Sequence, residues 1–156
     1  MNRQHYYEVQ LNWTGNSGRG TQSYSAYSRN HDITGADKPR ITASSDPSFL
    51  GDKNRYNPEE LFLAALSSCH MLWYLHLCSE AGVIVTAYVD NAKGTMMENE
   101  TGGHFTEVIL YPKVTVAEKN MVKTALKLHQ AAHEKCYIAN SCNFPVRHVA
   151  TCSLAD

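Results

Sequence analysis

Nineteen consecutive residues, 61–79 (LFLAALSSCHMLWYLHLCS), carry no formally charged side chain. A stretch that apolar, if helical, either lies buried in a core or crosses a membrane. Its punctuation is helical. Asn57 is a good N-cap, Pro58 suits the first helical position, and Glu60 falls at N3, an Asn form of the capping box. Gly82 stands where a helix end calls for a left-handed residue. The pattern predicts one helix over 58–81. Ser67, Ser68, His70 and His76 interrupt the apolar run, no second stretch resembles a span, and mean hydropathy is −0.39. The expectation is therefore a core helix with no membrane association. A chain of 156 residues cannot wrap such a helix on every side, which points to a subunit interface.

The length suits a single domain, 1–156. Fourteen Lys+Arg against fifteen Asp+Glu leave a net charge of −1, without the basic excess that would grip nucleic acid or an anionic membrane. Cysteine is the telling minority residue: Cys69, Cys78, Cys136, Cys142 and Cys152 form no C-x-x-C pair and are too sparse for a disulfide-stapled scaffold. Residues 1–12 lack the apolar core of a secretory signal, so free thiols in a cytoplasmic protein are expected.

Elsewhere the pattern alternates between strand and helix. Residues 4–13 and 21–28 read as a hairpin around the glycine-rich turn 14–20. Residues 33–57 read as a long ordered loop with room for a short strand near Ile33 or Ile41. Residues 83–90 read as a strand, 91–103 contain a turn with a polar tip, and 104–116 read as a strand broken at Pro112. Thr115 and Glu118 suggest a capping box opening a helix to about Cys136, and a last strand follows Pro145. The sum is an α+β layout.

Cys69 lies near the middle of the long helix, with Trp73 and His76 on its face. Alone, a cysteine there is an inert core residue, since the helix dipole is three turns away. Reactivity requires a cation from elsewhere: at a pKa of ~8.5 about 3% of a thiol is ionised at pH 7, whereas at ~6 it is roughly 90%. His129, His133 and Cys136 are spaced to share one helix face and, with Cys69, form a weak metal-ligand pattern. Cys78, Cys142 and Cys152 have no local reason to react.

Asn57-Pro58-Glu59-Glu60-Leu61 followed by Ala64-Ala65-Leu66-Ser67-Ser68-Cys69, with Cys136-Tyr137-Ile138-Ala139-Asn140 further on, resembles the OsmC/Ohr family of osmotically inducible and organic-hydroperoxide-resistance proteins. The resemblance implies antiparallel sheets around a long buried helix in an intertwined homodimer. It implies a thiol peroxidase that needs no cofactor or metal and takes an organic hydroperoxide as substrate and an external dithiol as reductant. It assigns Cys69 as the peroxidatic cysteine, Cys136 as the resolving one, and Glu59 as the carboxylate holding a catalytic arginine. Arg19, Arg29 and Arg55 are the nearby candidates, and Arg55, in the loop before the helix, is preferred. A non-catalytic protein of the same fold, binding an apolar small molecule at its dimer interface, is the alternative.

Overall fold

The computed structural model describes residues 3–155. Among them the order is three strands, a long helix, four strands, a second helix and two final strands. The chain divides into two compact units, with the boundary after Leu61.

The N-terminal unit carries a three-stranded antiparallel sheet of β1 (Gln10–Trp13), β2 (His31–Thr34) and β3 (Ile41–Ala43). A short strand was expected near Ile33 or Ile41, and one forms at each place. The hairpin partner expected at residues 21–28 does not, because β1 pairs with β2 instead. Arg29 accounts for the difference. Its guanidinium donates to the carbonyls of Tyr24 and Tyr27, each at 2.6 Å, and lies 4.2 and 4.3 Å from their ring centroids. Those contacts wind the segment into turns, and its alternating pattern serves an arginine clamp rather than a ladder. Gly15 lies against the Ser28 carbonyl where any Cβ would collide.

Helix α1 (Pro58–Glu80) begins as the capping pattern requires. The Glu60 amide donates to Asn57 Oδ1 at 2.8 Å, and the Asn57 amide donates to Glu60 Oε2 at 3.0 Å. Gly82 ends it at φ +68°. Its buried residues are Leu66, His70, Tyr74 and Cys78, a single stripe at four-residue spacing. Phe62, Leu63, Trp73, Leu75 and Leu77 beside that stripe are only partly covered, and Leu72 is 61% exposed.

In the second unit, β4 (Val85–Asp90) pairs antiparallel with β7 (Pro112–Val116), which pairs in parallel with β9 (Thr151–Leu154). A second sheet joins β5 (Lys93–Asn99), β6 (Gly102–Leu110) and β8 (Val146–His148), the last in parallel. The turn expected within 91–103 falls at Glu100–Thr101, but β5 ahead of it was not expected; all seven of its residues are exposed, so no apolar alternation marks it as a strand. β6 and β7 belong to different sheets, and the switch falls at Tyr111. There the Tyr111 amide donates to Asp90 Oδ1 at 2.6 Å, and Pro112, lacking an N–H, opens β7. The segment after Pro145 forms two strands rather than one.

Helix α2 (Val122–Lys135) starts later than the Thr115–Glu118 pattern suggests. Thr115 stays in β7, Glu118 makes no capping hydrogen bond, and a 3₁₀ turn at Lys119–Met121 intervenes. One core cluster joins Tyr74 and Cys78 of α1 to Ala125 and Ala132 of α2, Val114 and Val116 of β7, and Val83. Another joins Leu66 to Val108 and Leu110 of β6, with Phe62, Phe105 and Phe144 packed around them.

Candidate active site

Cys69 is the central residue of α1 by chain position and is half-buried. Cys136 is the residue immediately after α2 and is 1% exposed. The second unit brings the two thiols close enough for Cys69 to act on the Cys136 thiol, and both are free. Local structure holds Cys136 there. Its amide donates to the His133 carbonyl, and its carbonyl accepts from the Asn140 amide at 3.0 Å. The Asn140 side chain reaches back to the Glu134 carbonyl, closing the end of α2. This gives Asn140 of the Cys136–Asn140 segment a concrete role. Burial pushes the Cys136 thiol above its ordinary value, and the Cys69 thiol alongside acts in the same direction; the Ala139 and Ile138 amides pull partly against it. Cys136 is thus a protonated thiol at neutral pH.

Cys69 opens onto a pocket of about 420 Å³ whose other walls are Leu72, Trp73, His76 and Tyr137. Its lining is mostly carbon. Trp73 meets Tyr137 edge-on at 5.5 Å and His76 at 5.7 Å, and Lys135 Nζ stands 5.5 Å from the Trp73 ring. His76 is further held by Glu80 at 3.5 Å. The helical spacing that put Trp73 and His76 on the Cys69 face made them readable in advance. Tyr137 carried no signal beyond its place after Cys136.

Of the candidate arginines, Arg29 is committed to its tyrosine clamp. Arg55 belongs to an acidic network of the N-terminal unit: NH1 is 3.9 Å from Asp32 Oδ1, and Nε is 3.5 Å from Asp52 Oδ2. Asp32 also pairs with Arg40 at 3.1 Å. The Arg55 NH1 atom is buried and has no hydrogen-bond acceptor. Glu59 sits in the first turn of α1 beside Glu60 and forms no ion pair among the described residues. Its expected union with Arg55 is therefore not seen in the chain by itself, where Asp32 and Asp52 take the guanidinium. Neither aspartate could be singled out in advance, because loop and strand positions place them there.

The histidines grouped as possible metal ligands are arranged differently. His129 is fully buried and hydrogen-bonded to His70, while His133 faces His148. No set of three or more His, Cys, Asp or Glu among the described residues is placed to hold a metal ion.

Residues 51–149 match the family model described as OsmC-like protein. Among solved structures, an OsmC-like protein of unknown function from Vibrio cholerae O1 biovar eltor superposes with a TM-score of 0.85 at 32% identity, covering 95% of this chain and all of its own. An OsmC-like protein from Mycoplasma pneumoniae matches with a TM-score of 0.71 at 12% identity, over 97% and 99% of the two chains. An organic hydroperoxide resistance protein from Elizabethkingia anophelis matches at 0.66 and 18%, over 99% of each. No curated protein matches the sequence. With the α+β order, the capped apolar helix and the paired thiols in place, the chain belongs to the OsmC-like protein family.

Proposed function

We propose that the protein is a cysteine-based peroxidase that reduces organic hydroperoxides. One observation carries this reading: Cys69 opens onto an apolar pocket while the Cys136 thiol lies close enough to feel it. Several family structures are described as organic hydroperoxide resistance proteins, in keeping with it. The Cys69 thiolate attacks the distal peroxide oxygen, the O–O bond breaks, and the alcohol leaves with a proton, giving Cys69 sulfenic acid. Cys136, losing its proton, then attacks the Cys69 sulfur; hydroxide departs as water and a Cys69–Cys136 disulfide forms. An external dithiol restores both thiols by two exchanges and leaves as its own disulfide.

The cation that favours the thiolate is assigned to Arg55, and Glu59 is assigned to hold it when the site is assembled. The orphaned NH1 atom supports the first assignment, as a guanidinium nitrogen in want of an acceptor. The active form is proposed to be a cytoplasmic homodimer, acting without cofactor, nucleic acid or membrane. The largely uncovered surface of α1 supports a shared helix. The same carbon-lined pocket suits plain capture of an apolar small molecule, and turnover separates the two readings. Consumption of cumene hydroperoxide with dihydrolipoamide as reductant is expected from the native protein and not from Cys69→Ser. A variant that turns over at the native rate contradicts the proposal.

A further inference from the structure

Cys69 and His70 are neighbours, yet α1 turns them about 100° apart. Cys69 faces the pocket; His70 faces inward and is sealed. His70 Nε2 and His129 Nδ1 stand 3.0 Å apart, with the ring planes within 4° of parallel and the ring centroids 5.3 Å apart. That is closer than the ~3.5 Å at which unbonded ring faces pack, so the imidazoles meet end to end through a hydrogen bond. It is the one side-chain hydrogen bond joining α1 to α2 among the described residues. Its outer nitrogens, His70 Nδ1 and His129 Nε2, are buried without partners. Its two ends flank the thiols: His70 follows Cys69, and His129 lies two helical turns before Cys136 on the same face of α2.

We infer that the His70–His129 hydrogen bond is the clamp that sets the approach of Cys136 to Cys69, making both histidines positioning residues for disulfide closure. The inference rests on the Cys69–Cys136 couple proposed above. A disulfide tolerates little error in sulfur position, so the bond that fixes α2 against α1 governs how readily the bridge forms. The pair holds one proton between two facing nitrogens, one ring donating and the other accepting. The groups around it offer a second proton no counter-charge. Tyr74 of α1 stacks on His129 at 3.9 Å, His148 of β8 lies 5.5 and 5.9 Å from the two rings, and His133 of α2 lies beyond it. Cys78 and Cys152 flank Tyr74, and Tyr88 of β4 packs on it. Burial first, and the neighbouring histidines after it, keep both rings neutral, at about 4 for His70 and about 3 for His129.

The test is the equilibrium of the Cys69–Cys136 bridge in glutathione redox buffers at pH 7, read by mass spectrometry on the full chain. His129→Phe fills the space without the bond; His129→Asn returns an amide atom near the Nδ1 position. The bridge equilibrium is expected to fall roughly tenfold in the Phe variant and to stay within about threefold of native in the Asn variant. An unchanged equilibrium in a folded Phe variant, or an equal fall in both, overturns the clamp. Should the Phe variant not fold, the native protein supplies the test by itself. Exchange among protonated thiols conserves protons, and protonating a Cys69 thiolate favours the bridge. A fall in the bridge equilibrium below about pH 5 therefore supports the clamp, and a flat or rising profile overturns it. No Cys69–Cys136 bridge at all in the native protein contradicts the couple and the clamp together; a normal bridge that ignores His129 contradicts the clamp alone.

Discussion

The two sides of α1 at Cys69 and His70 differ in what their surroundings permit. On one side a half-buried thiol meets a carbon-lined pocket open to the exterior, with a second thiol at its back. On the other, the His70 imidazole is sealed against His129, on which Tyr74 stacks, with His148 tilted 5.5 Å away, and only histidines act on its charge among the described residues. The first side is suited to exchange atoms with a substrate and the second to refuse protons. A rotation of about 100° within one helix thus separates a reacting surface from a rigid one. The rigid side is what allows the reacting side to hold its geometry.

The largest effect that separates the two faces comes from the thiols. Cys69→Ser is expected to abolish hydroperoxide turnover, while Cys136→Ser is expected to keep a first turnover and lose the rest. A stopped-flow burst of one equivalent per chain, followed by arrest, checks the second. Next comes the imidazole face under acid. His70 and His129 sit below their unfolded value of about 6.5, at about 4 and about 3, and burial likewise lowers His148. The unfolded chain therefore takes up protons that the folded one declines. The contribution of these rings to stability is intact above about pH 6.5 and is lost steadily as pH falls toward 4. Urea midpoints taken from pH 7 to pH 4.5 are expected to fall throughout, and a level profile contradicts the sealed pair.

Smaller effects probe the frame that carries both faces. Leu66→Ala removes a fully buried side chain from the same stripe as His70 and is expected to cost about 2–5 kcal/mol in chemical denaturation. Asn57→Ala removes one half of a reciprocal cap and is expected to cost roughly 0.5–2 kcal/mol. A cost well above that range would show that Asn57 does more than start the helix.

What the sequence made legible follows from how local each signal is. The long helix was readable because Asn57, Pro58, Glu60 and Gly82 act within a turn of themselves, and the structure places its ends within one residue of the expectation. The two thiols were readable as a couple through the family motif, whereas spacing alone left Cys69 an inert core residue. The expected capping box at Thr115 failed because pairing of β7 with β4 and β9 claims Thr115 for the sheet. β5 was missed because its fully exposed strand has no apolar face to betray it. The His70–His129 bond could not be read at all, since it joins positions 59 residues apart and takes its character from burial that only the fold confers. Asp32 and Asp52 around Arg55 are likewise a product of tertiary placement.

The most direct test of the account is the mass of the protein, digested without reductant, after one equivalent of cumene hydroperoxide. The account predicts a single new species, lighter by two hydrogen atoms, in which the peptides bearing Cys69 and Cys136 are joined, and its absence in Cys69→Ser. Peroxide consumed with Cys69 and Cys136 both left as free thiols, or a bridge that excludes Cys69, would contradict it.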